Sequence, residues 1–276
     1  MAGSLLSTPV ASAGLFFPES GGSPNADDIK TLYILVFVIA LVVFVGVEGV
    51  IIWSLVKYRA RRGRLAAQIH GNTRLEIGWT VGAALILVLI TAVTFVKLSS
   101  ITSPAASIND LEGNPVSSNA LYAATNQPAP PKGSPSLKIV VDGQQYVWRY
   151  QYPGKENVFA YTDMYVPTGV TVILDVKSDD VAHSWWIPKL GGKMDAVPGY
   201  TNHTWFRISK PGVYRGQCAE LCGRNHANML AAVHAVPPAQ YQEWYRRQAA
   251  AITAAKKAQQ QGAQRLRQQQ QQGGTP

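Results

Sequence analysis

Two stretches of the chain are apolar almost without interruption. Residues 32–56 read LYILVFVIALVVFVGVEGVIIWSLV, about 25 residues at roughly 1.5 Å rise, enough to cross the roughly 30 Å hydrocarbon core of a bilayer with some tilt. Residues 77–96, IGWTVGAALILVLITAVTFV, form a second run of about 20 residues without a charge and meet the same requirement. The pattern predicts a helical hairpin, with spans over 32–56 and 76–98 and a loop over 57–75. Beyond it the period changes. Residues 99–135 are rich in Ser, Pro, Ala and Asn, the composition of an irregular linker. From 136 to 240, runs such as LKIVV, QYVWRYQY, VTVILDV, HTWFRI, VYRGQ and MLAAVHAV alternate with the turn signals DG, PGK, PTG, VPG and KPG. Short β-branched and aromatic runs between Gly and Pro turns predict an antiparallel sandwich or barrel. Residues 241–276 read as a helix that passes into a Gln-rich, disordered tail.

Charge orients the hairpin. Lys57, Arg59, Arg61, Arg62, Arg64 and Arg74 crowd the loop between the spans, whereas Glu19, Asp27 and Asp28 precede the first span against Lys30. Cationic loops stay in the cytoplasm, so both termini and the β domain are expected on the outer face of a bacterial cell membrane. A second cationic group (Arg246, Arg247, Lys256, Lys257, Arg265, Arg267) lies near the C-terminus. A membrane-flanking loop and a solvated tail thus account for the net charge of +9, and nucleic-acid binding is not expected. In the 1–31 segment, MAGSLLSTPVASAG holds an Ala-Ser-Ala resembling a signal-peptidase site, so a leader ending near Ala13 is one reading of it. Glu48 falls inside the first span and is expected either to face a partner helix or to snorkel to the interface. Glu76 opens the second span, where helix capping alone would explain a carboxylate.

The densest chemistry lies in GQCAELCGRNHANM, residues 216–229, which holds Cys218, Glu220, Cys222, His226 and Met229. Cys218 and Cys222 are the only cysteines. Two thiolates, an imidazole and a thioether form a soft donor set suited to copper. A single copper needs one Cys; the second is explained if both sulfurs bridge two metals, which then require another imidazole, with His183 in DVAHSWWIP the natural source. A structural zinc site is the rival metal reading, which Met229 and the intervening carboxylate fit poorly. A plain disulfide is the other alternative outside the cytosol. His203, His234 and His70 lack such partners and read as two strand-face residues and a solvated one.

These residues resemble cytochrome c oxidase subunit 2, from the first span to about residue 238. The resemblance implies a two-helix transmembrane hairpin followed by an all-β cupredoxin-like Greek-key barrel holding the dinuclear copper centre CuA. It implies His183, Cys218, the Glu220 backbone carbonyl, Cys222, His226 and Met229 as copper ligands, with both cysteines bridging. It also implies that the Glu220 side chain binds a magnesium shared with subunit 1. KMDAVPGY resembles a segment facing subunit 1, which puts Asp195 at that interface, with Tyr200 where an arginine is usual. Glu76 in RLEIGWT matches a glutamate at the entrance of a proton pathway. QQYVWRY resembles a segment that receives the electron from cytochrome c, with Tyr146 where a tryptophan is usual and Trp148 retained.

The implied function is electron acceptance in a respiratory terminal oxidase. Electrons come singly from cytochrome c and pass to haem in subunit 1, where oxygen is reduced to water and protons are pumped; subunit 3 is a further partner, and the chain is not catalytic alone. A quinol oxidase subunit would lack the ligands, which are complete here. A thioredoxin-type copper chaperone would show a βαβ pattern and one anchor, and a disulfide-stapled structural module leaves His183, His226 and Met229 unexplained.

Overall fold

A computed structural model describes residues 17–59, 68, 70–113 and 134–272. The leader expected near Ala13, Arg61, Arg62 and Arg64 of the basic loop, the middle of the linker and the last four residues lie outside the described residues. The chain divides into two compact units, one of residues 1–19 and 28–99 and one of residues 20–27 and 100–276.

The helical unit contains most of α1 (Pro24–Lys57) and α2 (Thr73–Thr102). Both helices overrun the apolar runs that predict them, by residues with acids in the first turn, Asp27 in α1 and Glu76 in α2, where a carboxylate favours a helix N-terminus. Apolar side chains such as Val42, Phe44, Leu89 and Phe95 are exposed along them. Such helices are built for lipid, not for a protein core. Lys97 near the end of α2 pairs with Asp28 near the start of α1 at 2.8 Å, which sets the two helices antiparallel as a hairpin requires. Glu48 is half-buried.

Among the described residues, the second unit is a β domain of ten strands. These are β1 (Ser136–Gln144), β2 (Val147–Gln151), β3 (Phe159–Tyr161), β4 (Asp163–Pro167), β5 (Thr171–Ser178), β6 (His183–Trp186), β7 (Met194–Ala196), β8 (Asn202–Arg207), β9 (Gly212–Cys218) and β10 (Leu230–Val236). They form two five-stranded sheets, in the orders β3-β2-β1-β5-β8 and β4-β10-β9-β6-β7. The antiparallel expectation holds for most neighbours, but β1 with β5 and β10 with β4 are parallel. Alternate residues of each sheet share one core: Leu137, Ile139 and Val141 from β1, Trp148 and Tyr150 from β2, and Val172, Leu174 and Val176 from β5 pack with Met164, Val166, Trp185, Ala231 and Val233. Burial of each larger aliphatic here contributes about 1.5–3 kcal/mol.

The stretch read as a linker is partly ordered. After Thr102, Ser107 is buried; its hydroxyl accepts the Thr171 N–H at 2.8 Å, while the Thr171 hydroxyl donates to the Ala105 carbonyl at 2.6 Å. The head of α1 belongs to this unit too. The Ser23 hydroxyl accepts the Arg207 N–H, and the Asn25 amide donates to the Trp205 carbonyl.

A final helix, α3 (Pro238–Gln272), runs through the Gln-rich stretch expected to be disordered, since Gln and Ala are good helix formers. Only its first half is packed. Tyr241, Trp244, Tyr245, Ala249 and Ile252 recur at helical spacing against the core, and Tyr152 meets the Trp244 ring at 5.0 Å. Every residue from 253 to 271 is exposed.

Asp142 is a buried carboxylate at the end of the first sheet, 3.6 Å from Lys177. Burial and a hydrogen bond with Asp179 push its carboxyl up to about 6, against the pull of Lys177. A raised carboxyl binds its proton more tightly in the folded state, so this group costs stability as pH rises from about 4 through 6. Asp142→Asn, which mimics the protonated form, is expected to match the parent at pH 4 and to exceed it at pH 8 by about 1–2 kcal/mol. Denaturant unfolding at the two pH values tests this, and an equal difference at both counts against it. A chain ending at residue 254 is expected to melt with the parent, whereas Tyr241→Ala should cost about 3 kcal/mol; calorimetry that finds the truncation equally damaging would show that the exposed half of α3 is held by contacts of its own.

Candidate metal centre

The site forms where β6 and β9 lie side by side. Their pairing sets Trp185 opposite Cys218, and the Ala219 N–H donates to the Ser184 carbonyl at 2.9 Å. His183, at the head of β6, and Cys218, at the end of β9, therefore meet although 35 positions separate them, with Nδ1 and Sγ 3.8 Å apart. Gly216 permits this approach, because a Cβ there would collide with the Trp186 carbonyl. The chain then loops through Glu220 and Cys222, makes a short helical turn at His226–Asn228, and returns through Met229, whose carbonyl accepts the Cys218 N–H at 2.8 Å. That bond clips the loop shut.

Inside the loop the donors converge. Cys222 Sγ lies 3.9 Å from Cys218 Sγ, 3.5 Å from His226 Nδ1 and 3.9 Å from Met229 Sδ. The Glu220 carbonyl oxygen is 3.3 Å from Cys218 Sγ, while the residue itself is exposed. His183, Cys218, Cys222 and Met229 are buried and His226 is half-buried. The ligand atoms of His183, Cys218 and Cys222 lie within 4.8 Å of one another. The thiols are free, and their 3.9 Å separation far exceeds the roughly 2.05 Å of a disulfide.

Burial shapes the protonation of the site. Burial, with Cys218 beside it, pushes the Cys222 thiol up to about 11, so without a metal the proton stays on sulfur at neutral pH. A bound metal ion reverses that preference. The His183 Nε2 faces Asp180 Oδ1 at 2.8 Å. An N–H donated to that carboxylate leaves the Nδ1 lone pair for a metal on the Cys218 side. Burial alone would raise the Asp180 carboxyl, but hydrogen bonds with His183 and from the Gln145 and Val181 amides hold it below the usual range.

The remaining expected residues lie elsewhere. Trp148 is fully buried beneath the site, its ring 5.8 Å from that of His183, while Tyr146 is half-buried in the turn between β1 and β2. Asp195 is exposed on β7, and its carbonyl accepts the Asn202 side-chain amide at 2.7 Å; Tyr200 is exposed nearby. Glu76 belongs to the helical unit, where its carboxylate accepts the Asn72 N–H at 3.3 Å and the Asn72 side chain accepts the Leu75 N–H at 3.2 Å. It does cap its helix. His203 and His234 sit on strands paired with Asp175 and Asp163, and His70 is exposed. Sequence reasoning missed Asp180, Gln145 and Gly143. Only the last had a signal, the DG turn, and a Cβ on it would lie 2.9 Å from the His183 ring and 3.1 Å from that of Trp148.

The fold and donor set define a class: a membrane-anchored β-barrel domain of cupredoxin type with a soft-ligand site at one end. Two family models match the chain, the transmembrane domain of cytochrome c oxidase subunit II over residues 10–96 and its periplasmic domain over residues 159–236. Together they take in more than half of it, and the chain belongs to the cytochrome c oxidase subunit II family. The chain is 36% identical to cytochrome c oxidase subunit 2 of Alkalihalophilus pseudofirmus over 80% of this chain and 58% of that protein. It is 29% identical to subunit 2 of Cereibacter sphaeroides over 82% of this chain and 80% of that one. The crystal structure of the periplasmic domain of subunit II of cytochrome oxidase from Bradyrhizobium japonicum aligns at 31% identity with a TM-score of 0.41, covering 42% of this chain and 95% of that one.

Gly143→Ala forces a methyl group against His183 and Trp148, neither of which has free space. It is expected to cost about 1–3 kcal/mol of domain stability and to shift the His183 imidazole resonances in a nitrogen-15 spectrum. Unchanged resonances together with unchanged stability would show that the turn gives way without disturbing the site.

Proposed function

We propose that the chain is the electron-accepting subunit of a respiratory terminal oxidase, taking electrons one at a time from cytochrome c and delivering them to haem in subunit 1 for reduction of oxygen to water coupled to proton pumping. The observation that carries this reading is the meeting of two free buried thiols, two imidazoles and a thioether within one loop and one strand head. His183, Cys218, Cys222, His226 and Met229 would hold a dinuclear copper together with the Glu220 carbonyl. A copper pair supplies one-electron chemistry that none of these side chains has alone. The protein's part is to fix the donors so that little moves when charge changes. Backbone bonds hold Cys218 at both its own N–H and that of Ala219, and Asp180 orients His183. Burial of the thiols excludes water from the sulfurs, which favours a constant geometry and tunes the potential.

Two free sulfurs, both within reach of imidazole, speak against the structural module. Met229 at 3.9 Å from Cys222 supports copper over zinc, since a thioether is a poor zinc donor. The exposed Glu220 carboxylate is then available to a magnesium shared with subunit 1, and Asp195 to the surface of that subunit. Tyr146, at the rim over the Cys222 loop, is the natural point for electron uptake, with buried Trp148 as packing beneath His183 and any role in uptake indirect. Glu76 would serve the proton-pathway entrance, and subunit 3 completes the assembly. The cationic charge of the loop between the helices supports a cytoplasmic loop and a copper domain on the outer face of a bacterial membrane.

The test is an electron paramagnetic resonance spectrum of the full chain in detergent after copper loading. One unpaired electron shared over two copper nuclei, with two coppers bound per chain and the signal lost in Cys222→Ser, is the expected result. A single-copper spectrum, or two thiols consumed as a disulfide with no copper bound, would overturn the reading.

A further inference from the structure

The geometry points to Gln145 as a positioning residue that straps the two halves of the metal site together from above, an inference that rests on the copper reading. The donors come from two separate pieces of chain, His183 on β6 and the 218–229 loop, and backbone pairing joins them only on the Cys218 side. The far side, where Cys222 and His226 lie, is covered by the turn between β1 and β2. There the Gln145 side-chain amide donates to the Cys222 carbonyl at 2.6 Å. Its own backbone N–H donates to Asp180 Oδ2 at 2.6 Å, and Asp180 Oδ1 holds His183 Nε2 at 2.8 Å. A continuous chain of three hydrogen bonds thus runs from His183 through Asp180 and Gln145 to Cys222.

Gly223 shows how closely the strap is seated. It has a φ of +131°, and a Cβ there would lie 2.6 Å from Tyr146 Oη and 2.9 Å from Gln145 Nε2. The strap anchors are themselves fixed, because Gln144 reaches Asp142 and Asp179, and the Ser178 hydroxyl donates to the Val181 carbonyl at 2.5 Å. The bond to the Cys222 carbonyl sets the orientation of the 222–223 peptide, and with it where Cys222 Sγ points among Cys218, His226 and Met229. Gln145 is exposed, so its side chain adds little to the core. Its contribution is geometric: it keeps one cysteine in register with a histidine from another strand.

Three variants separate this role from general stability, since all retain the backbone bond to Asp180. Gln145→Ala and Gln145→Glu both lose the donor to the Cys222 carbonyl, and Gln145→Lys supplies one again. In the copper-free full chain in detergent, the first two are expected to raise the alkylation rate of Cys222 several-fold over that of Cys218, with the melting temperature unchanged. In the copper-loaded chain they should release copper to a chelator about tenfold faster, in line with the loss of outer-shell partners elsewhere, and alter the copper hyperfine pattern, while Gln145→Lys stays close to the parent. Alanine and glutamate variants that match the parent in alkylation, release and hyperfine pattern would overturn the strap and leave the copper reading standing. A parent that binds no copper removes the copper reading, and the alkylation ratio then decides alone whether Gln145 positions Cys222. A variant whose melting falls along with the changed ratio also counts against the assignment, since it makes the effect one of folding.

Discussion

The short pairing between β6 and β9 is the constraint on which the molecule depends. Without it, His183 and Cys218 would be strangers on the chain; with it, two backbone amides fix the end of β9 against the head of β6 and against Met229. Main-chain hydrogen bonds are well suited to the task because buried amides and carbonyls must be paired in any case. The accuracy of the site is thus a by-product of an obligation the fold has to meet. Gly216 is the local condition, since any side chain there would push the strands apart.

Around that junction the domain divides its labour. Large side chains from both sheets fill the middle, and the candidate donors gather at one end, where loops leave the strands. Soft donors are compatible with such a position. Cys and Met pack as apolar groups when no metal is bound, and the buried His183 has its Nε2 on Asp180, so the site does not burden the core with unpaired polar groups. The polar groups that are needed, Asp180 and Gln145, stand at the rim, where solvent and hydrogen bonds share the load of their desolvation.

Much of this was legible in the sequence. Uninterrupted apolar runs marked the two long helices, and the spacing within GQCAELCGRNHANM marked a loop in which two sulfurs, an imidazole and a thioether could meet, because a loop of that length cannot keep its two sulfurs far apart. The strands with β-branched alternation were legible as well. β3, β4, β6 and β7 were not, being short and, in three of them, bearing residues such as Asp163, Pro167, His183 and Asp195 that carry little strand signal. Parallel pairing of β1 with β5 leaves no local mark at all. Helix α3 was underestimated in its Gln-rich half, where low hydrophobicity was read as disorder although Gln and Ala favour helix. Asp180 and Gln145 were missed for a different reason: an Asp in a DD pair and a Gln in a QQ pair look like surface residues until the sheets bring them over the loop.

The order of the second sheet sets a timetable for assembly. Among the described residues β4 has a single sheet neighbour, β10, the last of the ten strands, which also follows directly on Met229. That sheet cannot close until nearly the whole domain has been synthesised, and pairings between such distant segments form slowly because loop-closure entropy is met before any contact rewards it. The loop that gathers the sulfurs is therefore completed in the same late step that seals the barrel. During the interval before it, both thiols belong to an open chain, and whatever chemistry reaches them then acts on a protein that does not yet have a site.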